Sequence, residues 1–208
     1  MTTLLKNTCR NAMNYEDYKT LVLDLVQQKR TTGADTSEQK IAFTKLNSSR
    51  LKRLDKTISI SDIALEHFRN LPSHQTWLII VESWCADAVQ TIPVLHKITS
   101  ATSKLTLKII LRDENEEFMS HFLTNGAKSI PKLIVLDDQM EVINTWGSRS
   151  KRATQLVVDY KNEHGVIDDA FKQSLQLWYL KDGGKSIVED LVALTASSKP
   201  TQKVVSAI

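Results

Sequence analysis

The sequence predicts an α/β domain, a mixed sheet flanked by helices, with further helices added at both ends. Three observations carry that expectation. Short apolar runs rich in β-branched residues recur between residues 76 and 147, separated by stretches of helical period. Their order, strand–helix–strand, helix, hairpin, helix, is the order of a mixed sheet with helical layers. Outside that span both ends of the chain read as amphipathic helix alone, which divides it into 1–71, 72–164 and 165–208.

The first seventy residues read as helical. In "YEDYKTLVLDLVQQ" (15–28), Tyr18, Leu21, Val22, Leu25 and Val26 fall on one face, and "TTGAD" (31–35) then breaks the pattern. A second helix is expected from Thr36 to about Asp55, with Ile41, Leu46, Leu51 and Leu54 among its apolar positions. Ser61 caps a short third helix whose apolar face is Ala64, Leu65 and Phe68, stopped by Pro72. "TWLIIVES" (76–83) is then a buried strand. "DAVQTIPVLHKITSAT" (87–102) is a helix with Pro93 placed to kink it, and "KLTLKIILRD" (104–113) a second strand. "ENEEFMSHFLTNG" (114–126) reads as a helix with an acidic first turn and Asn125–Gly126 as its C-cap. Strands at 132–138 and 141–147 flank Gln139–Met140 as a hairpin, and a helix from Ser150 to about Asn162 closes the unit. Helices over 168–181 and 186–194, around Gly183–Gly184, and a frayed tail from Ser197 complete the chain.

Composition excludes several classes of function. With 41% hydrophobic and 25% charged residues the 208-residue chain is an ordinary globular one. A net charge of +3 is too small to argue for nucleic acid. The basic runs "RLKRLDK" (50–56) and "SRSKR" (148–152) lack interleaved aromatics and read as solvated helix faces. No apolar run is long enough for an export signal or a membrane helix, so no membrane is expected. Two cysteines and five scattered histidines give neither a disulfide framework nor metal-ligand spacing, so no metal or cofactor is expected. A reducing cytoplasm is the expected compartment, and it suits a free thiol. His96 and His121, each on an expected helix, read as core or surface residues rather than bases.

Chemistry concentrates in "VESWCADAVQTIP" (81–93), where Cys85 stands between a strand and a helix. A thiol at a helix N-terminus faces unpaired N–H groups and the positive end of the helix dipole, and both favour the thiolate. The bland alternative is a buried, inert cysteine. Asp87 in the first helical turn is stabilised by the same dipole, yet as an anion near Cys85 it opposes the thiolate. Glu82 and Asp87 are also candidates to accept a thiol proton or to bind a cationic group.

Several motifs fall at the spacing of the thioredoxin family, which this stretch resembles. Trp84-Cys85-Ala86-Asp87-Ala88 stands at the family's Trp-Cys-Gly-Pro-Cys, Pro93 at its helix proline, and Ser129-Ile130-Pro131-Lys132 at its Gly-Ile-Pro-Thr loop. Gly147 matches the glycine after the hairpin, and the resemblance covers roughly 73–162. "ESWCADA", "LRDEN" and "LTNGAKSIPKLIVLD" are similar to a bacterial subfamily with helical extensions. The resemblance implies a cis Ile130–Pro131 bond facing the thiol, and a groove of Trp84, Asp87, Ile130 and Pro131 for a peptide or glutathione-like thiol. The departures are equally specific. Ala88 replaces the resolving cysteine, so the two-thiol cycle does not close within the motif. Ile79 and Ile109 stand where the family carries its buried acid and the lysine near it.

Two functions follow. The first is thiol–disulfide exchange through Cys85 alone, on a protein disulfide or a low-molecular-weight thiol mixed disulfide, with a solution thiol or Cys9 as the second sulfur. The second is a non-catalytic binding module for a peptide or protein. Neither the substrate nor the oligomeric state is written in the sequence.

Overall fold

The structure, a computed structural model, describes residues 2–196; the expected frayed tail lies outside them. Four helices precede the sheet: α1 (Thr2–Asn11), α2 (Tyr15–Gln27), α3 (Glu38–Thr57) and α4 (Asp62–Arg69). The central unit is β1 (Gln75–Val81), α5 (Ala86–Thr99), β2 (Leu105–Leu111), α6 (Glu116–Ser120), β3 (Lys132–Leu136), β4 (Val142–Gly147) and α7 (Lys151–His164). Helices α8 (Asp169–Asp182) and α9 (Lys185–Ala196) follow.

The sheet order is β2-β1-β3-β4, with β1 parallel to β2 and antiparallel to β3, and β3 antiparallel to β4. This is the mixed sheet the sequence predicts. Trp77 through Val81 have no solvent exposure at all, which explains why β1 reads as a continuous apolar run rather than an alternating one. Helix α3 packs on α2 and α5, and α9 packs on α4, α5 and α7, so both helical additions bear on the sheet unit. A satellite core of Ala153, Leu175 and Tyr179 joins α7 to α8.

Local signals held where the chemistry is local. Ser61 and Ser150 cap α4 and α7 by accepting from the Ala64 and Ala153 amides. Helix α5 runs from Ala86 to Thr99 with Pro93 inside it. Other expectations failed for physical reasons. The acidic stretch forms only the short α6. Asn125 (φ 50°) and Gly126 (φ 76°) then make a tight turn closed by reciprocal Thr124–Ala127 backbone hydrogen bonds, not a helix cap. In α3 the buried side chains are Thr44, Asn47, Leu51 and Leu54, while Leu46 is 44% exposed. Its first two buried positions are polar because they serve the chain after β1. That strand ends at Val81 rather than running to Ser83, since Glu82 and Ser83 turn aside to make side-chain bonds.

Gly147 sits at φ +116°, and a Cβ there would lie 2.3 Å from the Pro131 carbonyl oxygen. Gly147→Ala is expected to cost about 3 kcal/mol or more, read as a lowered urea midpoint with an unchanged m value.

Candidate functional site

The segment after β1 is fixed by a hydroxyl cluster drawn from the 31–32 segment and α3. Ser83 Oγ lies 2.8 Å from Thr44 Oγ1 and 3.3 Å from Thr31 Oγ1, and accepts from the Thr32 amide at 3.1 Å. The Ser83 amide donates to Thr32 Oγ1, and Asn47 Nδ2 donates to the Ser83 carbonyl at 2.9 Å. All these residues are buried. Each bond is worth about 1 kcal/mol net, but leaving one partner unmade there costs about 1–3 kcal/mol, so the cluster fixes the backbone that presents Cys85.

Cys85 is the N-cap residue of α5, and its thiol donates to the Ile130 carbonyl at 3.5 Å. The Ile130–Pro131 peptide is cis. The Ala88 and Asp87 amides favour the thiolate, as a helix terminus should. They are outweighed. Cys85 is only 8% exposed, and burial, reinforced by the Asp87 charge, pushes the thiol up to about 12. The lowered pKa expected from position alone is therefore reversed by desolvation.

Asp87 is also buried. Its Oδ2 lies 2.7 Å from Arg149 Nη2, and its Oδ1 accepts from the Tyr179 hydroxyl at 2.9 Å. Burial raises its carboxyl, against the pull of Arg149 and Tyr179. Sequence reading missed both partners. Arg149 belongs to the run read as a solvated face, yet it is half-buried and paired, and Tyr179 comes from α8 in the C-terminal addition. A buried carboxylate demands a cation, but the choice of cation is a tertiary matter.

Ala88 is fully buried, and Ile79 and Ile109 are direct partners across β1 and β2, both without exposure. An apolar pair thus fills the place where the family resemblance puts an acid and a lysine. Of the four residues expected to line a groove, Asp87, Ile130 and Pro131 are buried and Trp84 is partly exposed. Trp84 carries a cation near its ring twice over, Lys40 Nζ at 4.2 Å and the Arg112 guanidinium at 5.3 Å from its centroid. Cys9, on α1, is a second free, buried thiol, raised to about 11 by burial against the pull of Lys108. Among the described residues no cluster of His, Cys, Asp or Glu is placed to hold a metal ion, and no helix is long and apolar enough to cross a membrane.

Glu82 is fully buried, and its Oε1 accepts from the Asp113 amide at 2.9 Å. Burial raises its carboxyl above the ordinary 4.5, opposed by Thr32 and the Asp113 amide and assisted by the Asp113 charge.

Three variants test these assignments. Arg149→Met strands a buried carboxylate and is expected to cost about 3–5 kcal/mol by urea unfolding. Tyr179→Phe removes one bond to that charge, at about 1.5–3 kcal/mol. For Glu82, a raised folded pKa means the native state keeps a proton that the unfolded chain has lost above pH 4.5. Wild-type stability should fall as pH rises from there through the folded pKa. Glu82→Gln should lack that fall, so the two unfolding curves separate with pH.

A thioredoxin family model matches residues 33–164, which takes in α3 and α4 as well as the sheet. Two solved structures share the fold. One is a protein of unknown function from Pseudomonas aeruginosa, 12% identical, with 92% of this chain and 96% of that one covered and a TM-score of 0.61. The other is an HIV epitope scaffold, 15% identical, with 90% and 100% covered and a TM-score of 0.57. No curated protein matches the chain. A family match over well over half its length, on a mixed sheet with a cysteine at the head of the first crossover helix, makes this chain a member of the thioredoxin family.

Proposed function

We propose that this protein is a thioredoxin-fold binding module for a peptide or protein partner, in which Cys85 is a packed thiol rather than a nucleophile. The observation that carries the reading is the state of that sulfur. It is buried, bonded to the Ile130 carbonyl, and raised to about 12. At pH 7 such a thiol is held in its protonated form, and only the thiolate attacks a disulfide. The losses at Ala88, Ile79 and Ile109 agree with it, and so does Tyr179, through which α8 covers the motif. Trp84, part-exposed like Ala86 and the larger of the two, is the partner-facing residue.

One observation favours the redox reading instead: the Ala88 and Asp87 amides converge on the sulfur and stabilise its anion. On that reading the Cys85 thiolate attacks a protein disulfide or a low-molecular-weight mixed disulfide. It forms a new disulfide, releases a thiol that takes up the proton, and is regenerated by a second thiol from solution. Iodoacetamide kinetics against pH separate the two. The binding module predicts slow Cys85 alkylation with an apparent pKa above about 8.5, and no turnover of glutathionylated peptide. It also predicts that Cys85→Ser retains whatever partner the wild type retains. An apparent pKa below about 8.5 together with turnover would establish the exchange chemistry.

A further inference from the structure

We propose that α8 is a hinged cover over the Cys85 motif, and that its opening, with the rest of the fold intact, exposes the sulfur. Cys85 being a packed thiol is the premise on which this rests, and α8 is the element that keeps it so.

Helix α8 stands apart from the main core. Its buried residues, Leu175 and Tyr179, pack with Ala153 of α7 in a satellite cluster, whereas α9 puts Ile187 and Leu191 into the main core. Only one side of α8 is covered, because Leu177 and Leu180 are exposed. The helix also satisfies its own ends. Asp168 accepts from the Phe171 amide at 2.7 Å, and the Gly183 amide donates to the Tyr179 carbonyl. Among the described residues no backbone group of α8 is bonded to another element, so none is orphaned when the helix moves.

Its hold on the motif is made by side chains. The Tyr179 hydroxyl donates to Asp87 Oδ1 at 2.9 Å, and Gln90 Nε2 donates to Gln176 Oε1 at 3.0 Å. Tyr179 also lies close enough to Cys85 for a charge on that sulfur to raise the phenol. Lifting Tyr179 therefore uncovers Asp87 and admits water to the first turn of α5, which Cys85 caps. Arg149 stays with Asp87, because the start of α7 is tied to α9 through Ser150–Ser186 and through the Lys151 amide on Asp190. The carboxylate keeps its cation, and the Ala88 and Asp87 amides remain on the sulfur without the burial that opposed them.

Room to turn is present at both ends of the helix. A Cβ on Gly165, after α7, or on Gly183, after α8, would meet no atom within 4 Å. A helix held by a small core and two side-chain bonds to α5, between uncrowded glycines, opens more readily than the sheet unit behind it.

The test is iodoacetamide labelling of the full chain, with Cys85 and Cys9 separated by mass spectrometry. Below the unfolding transition, Cys85 labelling should rise with urea on a slope well under the equilibrium m value. That slope is read on the wild type and needs no variant to fold. Leu175→Ala loosens the satellite core and should speed Cys85 labelling by about tenfold or more. Tyr179→Phe keeps the ring, drops the bond to Asp87 and should speed it by about tenfold. Ile134→Val, in the fully buried part of β3, weakens the fold as a whole and should leave the Cys85 rate unchanged.

A urea slope equal to the full m value, or acceleration by Ile134→Val in proportion to its loss of stability, means that Cys85 is reached only through global unfolding. Either result overturns the cover and leaves the packed-thiol reading standing. An unchanged rate in a folded Leu175→Ala overturns the cover as well. Wild-type Cys85 labelled at the rate of an exposed thiol overturns both.

Discussion

Burial of β1 on both faces is the constraint from which the site follows. From Trp77 to Val81 no residue meets solvent, so the chain leaves the strand inside the protein rather than at its surface. The polar groups in the next few residues then draw their partners from within the fold. Ser83 takes hydroxyls from the 31–32 segment and α3, Glu82 takes the Asp113 amide, and Asp87 takes Arg149 and Tyr179. The helical additions at both ends thus complete the sheet unit chemically as well as sterically.

The same constraint decides the character of Cys85. A helix N-terminus offers a thiolate two amides and a dipole, but that benefit competes with desolvation, which grows with burial. Here burial wins, and the neighbouring Asp87 adds to it. Arg149 lies within reach to offset that charge, yet its guanidinium is engaged with the carboxylate itself.

Thioredoxin-fold architecture tolerates this because sheet and crossover are held by apolar packing that the redox centre does not supply. The Ile79–Ile109 pair lies within the central β1–β2 ladder, where two apolar side chains need no partner. An acid and a lysine in the same place would need each other and further hydrogen bonds. Polar groups lie instead on the 82–87 segment, at the boundary between the sheet and the added helices.

Much of this was legible in the sequence because it depends on neighbours a few residues away. The strands at β1 and β2, the hairpin and the caps at Ser61 and Ser150 are set by periodicity and backbone chemistry, and the register of the cysteine and proline motifs is what the family resemblance implies. The short α6 was misread because Asn-Gly serves equally as a helix stop or a tight turn, and the flanking chain chose the turn. The apolar face of α3 was misread at Leu46 because Thr44 and Asn47 are buried there for a partner at Ser83. Only the folded chain could bring Arg149 and Tyr179 to Asp87 or exclude water from Cys85. Local pattern fixes which element a residue joins; burial and charge pairing depend on segments that meet in space.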